Sequence, residues 1–187
     1  MTKTMYQLQQ DHGRMARILD ILDRHITLAE QGETPDWDLL ESILEYNLNY
    51  REREHHRREE GILVVLERQA PSIHASLDQM PLMHEQLNNL ARRFAAAIRN
   101  ARSDAELPLS WFASAGRAYV DSYREHMDYE EMTVYPQLSK HLTEADWEEA
   151  ERITRPALKN ALDPLAGPQV MEDFRPLNDA LDGNALR

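Results

Sequence analysis

The chain carries one short pattern twice, at His56-Arg-Arg-Glu-Glu60 and at His126-Met-Asp-Tyr-Glu130. In each copy a glutamate follows a histidine by four residues, which on an α-helix places both side chains on one face, one turn apart. The two copies are 70 residues apart, and two single histidines, His12 and His84, are 72 residues apart. Four histidines and two glutamates from four segments are the ligand inventory of a carboxylate-bridged two-metal site.

Helical spacing dominates the chain, because apolar residues recur at steps of three and four and no segment shows sustained period-two alternation. Gly32 ends the first helix, Thr34-Pro35 supply the N-cap and first residue of the second, and Pro71 prevents its continuation. A loop over Ser103–Leu107 separates the third helix from the fourth. The predicted helices are Met5–Ile26, about Asp36–Gln69, Met80–Ile98, Phe112 to Pro136 or about a turn beyond, and a short fifth helix from Thr143 to about Arg152.

Four long helices joined by short loops predict an all-α, up-down-up-down antiparallel four-helix bundle. In an antiparallel pair, residues equidistant from the turn lie at the same height. His12 and His56 have their midpoint at position 34, inside the first turn, and His84 and His126 have theirs at position 105, inside the third. The midpoint of His56 and His84 is position 70, beside the second turn. The register therefore places all the candidate ligands near one level of the bundle.

The C-terminal part of the chain has a different character. Thr143 is the expected N-cap of the short fifth helix, with Asp146 at the capping-box position in place of the usual glutamate. After Pro156, further prolines at positions 164, 168 and 176 interrupt the chain. We expect a bundle over residues 1–155, followed by a Pro-rich C-terminal tail over 156–187 that acts as a packed arm or an interaction segment.

Composition excludes several classes of function. The chain has 187 residues, 42% of them apolar, which is enough for one domain with a hydrophobic core. The net charge of −12 disfavours nucleic acid as a partner, and the lack of cysteine excludes thiolate metal sites and cysteine nucleophiles. The N-terminal residues do not resemble a signal peptide, and the longest aliphatic run, Ile62–Leu66, cannot span a membrane. We expect a cytoplasmic protein with no membrane partner.

Each pattern also has an ordinary structural interpretation. A single histidine on an apolar stripe is usually a packed core residue, and a single His-x-x-x-Glu pair is usually a solvated helix face. One hypothesis is therefore a structural bundle that binds metal only adventitiously. The repeat, the register and the apolar stripe together favour a metal site. Burying two glutamates and four histidines without a cation costs several kcal/mol per charged group, and a bound metal ion removes that cost.

The ligand types narrow the metal. Imidazole and carboxylate without sulfur suit iron, manganese or zinc. Ferritin-type di-metal bundles use Glu-x-x-His on two helices. This chain has the reverse order and a spacing of four, which argues against the ferritin-like class.

These motifs resemble the hemerythrin-like HHE cation-binding domains. The segment His55-His-Arg-Arg-Glu-Glu-Gly-Ile-Leu63 is similar to the family pattern HH-x-x-EE-x-x-L, and His126–Pro136 is similar to H-x-x-x-E followed by proline. Asp11-His12 and His84-Glu85 resemble the single-histidine segments of the first and third helices. The resemblance covers about residues 8 to 138.

The resemblance implies a four-helix bundle around two iron ions joined by an oxo or hydroxo bridge, with manganese or zinc as substitutes. Two histidines would bind each ion, and two glutamates would bridge the ions. In this sequence those ligands are His12 and His56, His84 and His126, and Glu60 and Glu130. His55 is expected beside the site or on the surface. Surface or packing roles are expected for His25, His74 and His141.

The chain departs from the oxygen-carrying hemerythrins. Those proteins resemble this pattern but have a further histidine one turn after the first histidine of the third helix, where this chain has Asn88. They also have an aspartate five residues after the fourth-helix histidine, where this chain has Glu130 at four. We therefore expect an exchangeable position on the His84 side, unless Asn88 or Glu85 fills it. This departure favours reactive chemistry or sensing over oxygen transport.

The resulting hypothesis is a non-haem di-iron protein that binds or reduces a small oxidant, namely dioxygen, nitric oxide or peroxide. The alternative is an iron- or oxygen-responsive module without turnover that signals through its tail. The sequence does not decide whether the chain is an enzyme. Tyr46, Tyr119 and Tyr123 are candidates for hydrogen bonds around the site, although core aromatic residues need no such role.

Overall fold

A computed structural model of the chain describes residues 2–103, 108–158 and 174–182. The elements in these ranges are helical, and no strand occurs among them. None of the helices that they contain is both long and apolar enough to cross a bilayer. The helices are α1 (Lys3–Glu30), α2 (Trp37–Tyr46), a π-helical turn (Asn47–Arg51), α3 (Glu52–Gln69), α4 (Pro71–His74), a 3₁₀ turn (Ala75–Leu77), α5 (Gln79–Arg102), α6 (Leu109–Tyr129), a second π-helical turn (Glu130–Val134), α7 (Tyr135–His141), α8 (Glu144–Leu158) and α9 (Arg175–Leu181).

The second and fourth predicted helices are both continuous, and each contains a π-helical turn. The second runs from α2 through Asn47–Arg51 into α3, and the fourth runs from α6 through Glu130–Val134 into α7. The fourth helix passes Pro136 and ends at His141, about a turn later, which agrees with the later of the two predicted ends. Pro136 is tolerated because it is the second residue after the π turn, where the hydrogen-bond ladder is already interrupted. A π turn adds one residue to a turn of helix, so it rotates every later side chain around the helix axis.

The helix ends follow the sequence signals with one correction. Gly32 ends α1 with a positive φ of 81°, as the sequence predicts. The N-cap of α2 is Asp36, whose side chain accepts a hydrogen bond from the Leu39 amide at 3.0 Å. The predicted cap at Thr34-Pro35 is therefore wrong, because the helix begins two residues later and Asp36 satisfies its free amides.

The fifth helix is longer than predicted. Thr143 and Asp146 form the expected capping box: the Thr143 amide donates to Asp146 Oδ2 at 2.8 Å, and the Asp146 amide approaches Thr143 Oγ1 at 3.4 Å. The helical backbone of α8 continues through Pro156 to Leu158, because a proline in the last turn removes only one backbone hydrogen bond. Of the predicted loop and tail, residues 104–107, 159–173 and 183–187 lie outside the described residues.

Part of the predicted C-terminal arm packs on the bundle. Phe174 and Leu177 are buried in the same apolar cluster as residues of α1 and α2, and the ring of Phe174 lies 6.0 Å from that of Tyr46. Elsewhere α1 packs on α6, α6 on α5, α5 on α2 and α8 on α3. This is a helical bundle, and the up-down-up-down order of its helices stays a prediction.

The core consists of two apolar clusters at different heights. The first contains Met15, Leu87 and Met127, and the second contains Leu8 and Val134 with residues of α3. Along each long helix that contributes ligands, the chain passes from one cluster to the other across the predicted metal ligands. The polar residues singled out by the sequence therefore form a layer between two apolar clusters.

The bundle is closely packed at Gly116 of α6. A Cβ atom there would lie 2.7 Å from Ile26 Cδ1 and 2.9 Å from Phe94 Cε2, and both of these side chains are fully buried. We expect Gly116→Ala to lower the free energy of unfolding by about 1–3 kcal/mol through overpacking. Gly13→Ala is the matched control: nothing lies within 4 Å of its added Cβ, so it should stabilise the helix by about 0.5–1 kcal/mol. Equal midpoints for the two variants in urea unfolding would contradict this packing.

Candidate metal centre

Glu59, and not Glu60, lies in the polar layer. Glu59 is 2% exposed, whereas Glu60 is on the exposed face of α3. The assignment of Glu60 is therefore corrected: residues 59 and 60 lie about 100° apart around the helix, and the face that carries Ile62 and Leu66 turns Glu59 inward. His55 is also buried, 4% exposed, and its Nε2 lies 3.2 Å from Glu59 Oε1.

The His-x-x-x-Glu pattern still occurs twice when Glu59 takes the place of Glu60. His55 and Glu59 form an i, i+4 pair on α3, and His126 and Glu130 form another, with His126 Nε2 3.1 Å from Glu130 Oε1. The two pairs are 71 residues apart. The HH-x-x-EE segment therefore contributes its first histidine, His55, and its first glutamate, Glu59, to this pair. Its second histidine, His56, adds a further imidazole.

Three imidazoles gather on one side of the layer. His56 stacks on His84 with ring centroids 3.8 Å apart, and His126 meets His84 edge-on at 4.9 Å. Ligand atoms of these histidines and of Glu59 all lie within 4.8 Å of one another. His56 therefore adds a third imidazole on the side where the sequence has Asn88 instead of a further histidine. Glu85 is exposed.

Two imidazoles gather on the other side. His12 Nε2 lies 3.3 Å from His55 Nε2, and ligand atoms of these histidines, Glu59 and Glu130 all lie within 4.8 Å of one another. The expected pairing of His12 with His56 is thereby revised, because His56 faces His84 and His126, and His55 faces His12. The two histidines are sequence neighbours whose side chains point to different groups.

Both carboxylates lie between the two groups. Glu130 Oε2 is 3.0 Å from His12 Nε2, while its Oε1 is 3.1 Å from His126 Nε2. Glu59 Oε1 is 3.2 Å from His55 Nε2, while its Oε2 is 3.4 Å from His84 Nε2. Each glutamate thus presents one oxygen to each group, which is the arrangement that a carboxylate adopts when it bridges two ions.

The far sides of two histidines are held by carboxylates. His12 Nδ1 lies 2.8 Å from Glu131 Oε1, and His55 Nδ1 lies 3.4 Å from Asp11 Oδ2. Arg58 donates to the same oxygen of Asp11 at 3.2 Å. Metal-binding histidines characteristically donate their second ring N–H to such a carboxylate, which fixes the tautomer and directs the other nitrogen at the metal.

Tyr135 is a member of the layer that the sequence analysis did not identify. Its hydroxyl lies 3.0 Å from His12 Nε2 and donates to Glu59 Oε1 at 3.2 Å. The π turn brings it there: the Tyr135 amide bonds to the Glu130 carbonyl, five residues back, so that Tyr135 sits one turn beyond Glu130 on the same face. The signal in the sequence is Pro136, which marks an irregularity in an otherwise helical segment.

Burial and charge oppose one another in this layer. Burial disfavours the charged form of His84, but Glu130 and Glu59 outweigh it and raise the pKa of His84 to about 9. In the same way, burial opposes charge on His55, and Glu59 and Asp11 raise its pKa well above the ordinary value. Burial and the neighbouring His84 lower the pKa of His56 well below the ordinary value. Without a metal, protonated His55 and His84 therefore compensate ionised glutamates.

The pKa values of the two buried carboxylates are lowered. Although burial opposes ionisation, His55 holds the pKa of Glu59 well below its usual range. Burial and the charge of Glu59 oppose ionisation of Glu130, but its contacts with His12, His55 and His84 lower its pKa as well. For Tyr135, burial and the two glutamates raise the pKa above the ordinary value.

The layer fits metal ions better than it fits hydrogen bonds among its own members. Several buried atoms have no hydrogen-bond partner: His56 Nε2, His84 Nε2, both ring nitrogens of His126, Glu59 Oε2 and both oxygens of Glu130. They nevertheless lie close to one another, at separations such as 3.1 and 3.4 Å, without the alignment of donor and acceptor that a hydrogen bond requires. Buried polar atoms are rarely left unpaired, so atoms that converge in this way indicate a shared cation.

Comparison with known families agrees with the geometry. Residues 4–138 match the model of the Hemerythrin HHE cation binding domain. The chain belongs to this family. No curated protein and no solved structure gives a significant match, so the assignment rests on the family match and on the site itself. The match ends three residues before the end of α7, so it covers all the residues of the polar layer in this HHE domain.

The remaining sequence candidates lie outside the two groups. His25 accepts a hydrogen bond from the Asp36 amide at 3.3 Å, a packing role, and neither His74 nor His141 belongs to either group. The Tyr119 hydroxyl accepts a hydrogen bond from Asn47 Nδ2 at 3.1 Å.

Metal binding should release protons. Because the pKa of His84 is about 9 and that of His55 is also raised, both are protonated at pH 7 in the metal-free HHE domain and must lose that proton to bind a metal. We expect release of about two protons per chain at pH 7, and an apparent affinity that rises with pH until about pH 9. Calorimetric titration in buffers of different ionisation enthalpy measures the number. A pH-independent affinity between pH 6 and 9 would contradict the assignment.

The neighbouring glutamates provide a matched pair of variants. Glu59→Gln removes a buried carboxylate that faces both groups, and it should weaken metal binding by more than about 100-fold, the upper range for losses outside the ligand shell. Glu60→Gln changes an exposed side chain one residue later and should leave binding unchanged. Metal content after dialysis against a weak chelator distinguishes them. If Glu60→Gln lost metal and Glu59→Gln kept it, the original assignment of Glu60 would be right.

Proposed function

We propose that the chain is a non-haem di-iron protein that binds or reduces a small oxidant: dioxygen, nitric oxide or hydrogen peroxide. The observation that carries the proposal is that Glu59 and Glu130 each present one oxygen to each of two histidine groups. When bound, the two ions would supply electrons and an exchangeable coordination position.

The ligand set favours iron over zinc. The side with His56, His84 and His126 also receives an oxygen from each of the two glutamates. Five protein atoms exceed the tetrahedral set that zinc usually takes, and no thiolate is present in the chain. Iron and manganese accept six ligands of this type, so an exogenous molecule has room to bind, and zinc is expected only as a substitute.

The protein residues have separate roles in this proposal. The histidines fix the positions of the ions, and Glu131 and Asp11 orient two of those histidines through the second ring nitrogen. The two glutamates neutralise part of the ionic charge and keep the ions together. The apolar clusters above and below the layer exclude bulk water, which strengthens these electrostatic interactions and protects reactive species from side reactions.

A sensor without turnover is the second candidate, and the contact of α9 with α2 favours it. Phe174, which precedes α9, is buried against Tyr46, the last residue before the π turn of the second helix. That turn leads directly into α3, which carries His55 and Glu59. A change at the site would therefore reach the C-terminal segment through one continuous helix.

Rapid mixing separates the two candidates. The di-ferrous protein is mixed without oxygen with hydrogen peroxide, nitric oxide or oxygenated buffer, and absorbance is followed. We expect repeated consumption of one oxidant when a reductant is supplied, and no reaction of the metal-free chain. A single oxidation that increases hydrogen exchange in α9, without further consumption, would favour the sensor. A metal-loaded chain inert to all three oxidants, with unchanged exchange, would contradict both.

A further inference from the structure

Three atoms compete for one nitrogen of His12. Its Nε2 lies 3.0 Å from Glu130 Oε2, 3.3 Å from His55 Nε2 and 3.0 Å from the Tyr135 hydroxyl. A ring nitrogen carries either one proton or one lone pair, so it can satisfy only one of these neighbours by a hydrogen bond. The other contacts are explained if all four atoms surround a common point instead of bonding to each other.

The separations match those of ligands around one ion. With metal–ligand bonds of about 2.1 Å, adjacent corners of an octahedron lie about 3 Å apart and opposite corners about 4 Å apart. On the His12 side, His55 Nε2 is 3.2 Å from Glu59 Oε1 and 4.0 Å from Glu130 Oε2. The Tyr135 hydroxyl fits the same set, at 3.0 Å from His12 Nε2 and 3.2 Å from Glu59 Oε1.

The Tyr135 hydroxyl also restores a balance between the two sides. The side with His84 has three imidazoles and an oxygen from each glutamate, whereas the side with His12 has two imidazoles and the other two oxygens. One more protein atom on the His12 side would give both ions five protein ligands. Tyr135 is 4% exposed and held by the π turn, so its hydroxyl is directed into the layer and not at solvent.

We propose that the Tyr135 oxygen is the fifth protein ligand on the His12 side and binds ferric iron as a phenolate. This inference rests on the proposed iron site. The hydroxyl proton leaves to solvent when the iron–oxygen bond forms, and no electron is transferred. A phenolate is a hard anionic donor, so it stabilises the ferric over the ferrous state on that side. Because the oxygen already lies 3.0 Å from His12 Nε2 and 3.2 Å from Glu59 Oε1, it needs little movement to bind.

A ferric phenolate has an optical signature that histidine and carboxylate ligands lack. The full chain is loaded with iron, oxidised, and examined by visible absorption and by resonance Raman spectroscopy within the absorption band. We expect a phenolate-to-iron charge-transfer band whose excitation enhances tyrosinate ring vibrations. Tyr135→Phe should lose the band and these vibrations, keep two iron ions per chain, and show a higher midpoint potential in a redox titration.

Tyr119→Phe is the matched control. It also removes a buried hydroxyl from the same continuous helix, but that hydroxyl contacts Asn47. This variant should retain the band and the potential of the unaltered chain. Two bound iron ions without tyrosinate vibrations in the unaltered chain would overturn the inference and leave the proposed function standing, and this measurement does not depend on folding of a variant. Vibrations that persist in Tyr135→Phe would also overturn it. A chain that binds no iron would overturn both.

Discussion

The structure depends on the burial of two carboxylates and five imidazoles in one layer between two apolar clusters. Glu59 and Glu130 are almost completely inaccessible, at 2% and 0% exposure, and so is His126 at 1%. Burying an ionised carboxylate without compensation costs several kcal/mol even after relaxation. His55 and His84 supply that compensation as protonated partners without metal. Metal ions would supply it more completely because they also satisfy the unpaired ring nitrogens. The four long helices have to hold this layer in register.

Two π turns adapt regular helices to the site. One precedes His55 and His56 by a single turn, and the other begins at Glu130. A regular helix carrying His126 and Glu130 would present Val134 next on that face, which would place an aliphatic side chain in the layer. The inserted residue brings the Tyr135 hydroxyl there instead, while Val134 and the Tyr135 ring pack in the apolar cluster. Such turns have poorer hydrogen-bond geometry than a regular helix, and they occur frequently at functional sites. Here the π turn directs a particular side chain into the site.

Much of this architecture could be predicted from the sequence, because the apolar spacing of four helices and the midpoints of the histidine pairs depend only on regular geometry. The structure places His12, His84, His126 and Glu130 in the layer for that reason, and their role as metal ligands stays a prediction. The choice between Glu59 and Glu60 was wrong because it followed the letter pattern from His56. The face that carries Ile62 and Leu66 was the better guide, since residues three and seven positions earlier lie on the same stripe.

Other parts of the site could not be derived from regular periodicity. His55 and His56 are adjacent and lie about 100° apart around the helix axis. A regular helix that faces a single metal ion can therefore direct only one of them at that ion. Both are used here because α3 faces two groups of ligands at once. Tyr135 depends on a π turn whose position no hydropathy pattern specifies.

The central claim is that the layer holds two ions bridged by Glu59 and Glu130. Anomalous diffraction from crystals of the iron-loaded chain, collected at the iron edge, tests it most directly. We expect two peaks between the two glutamates, one near His12 and His55 and the other near His56, His84 and His126. A single peak, or peaks at surface residues with the buried histidines bonded only to protein, would contradict it.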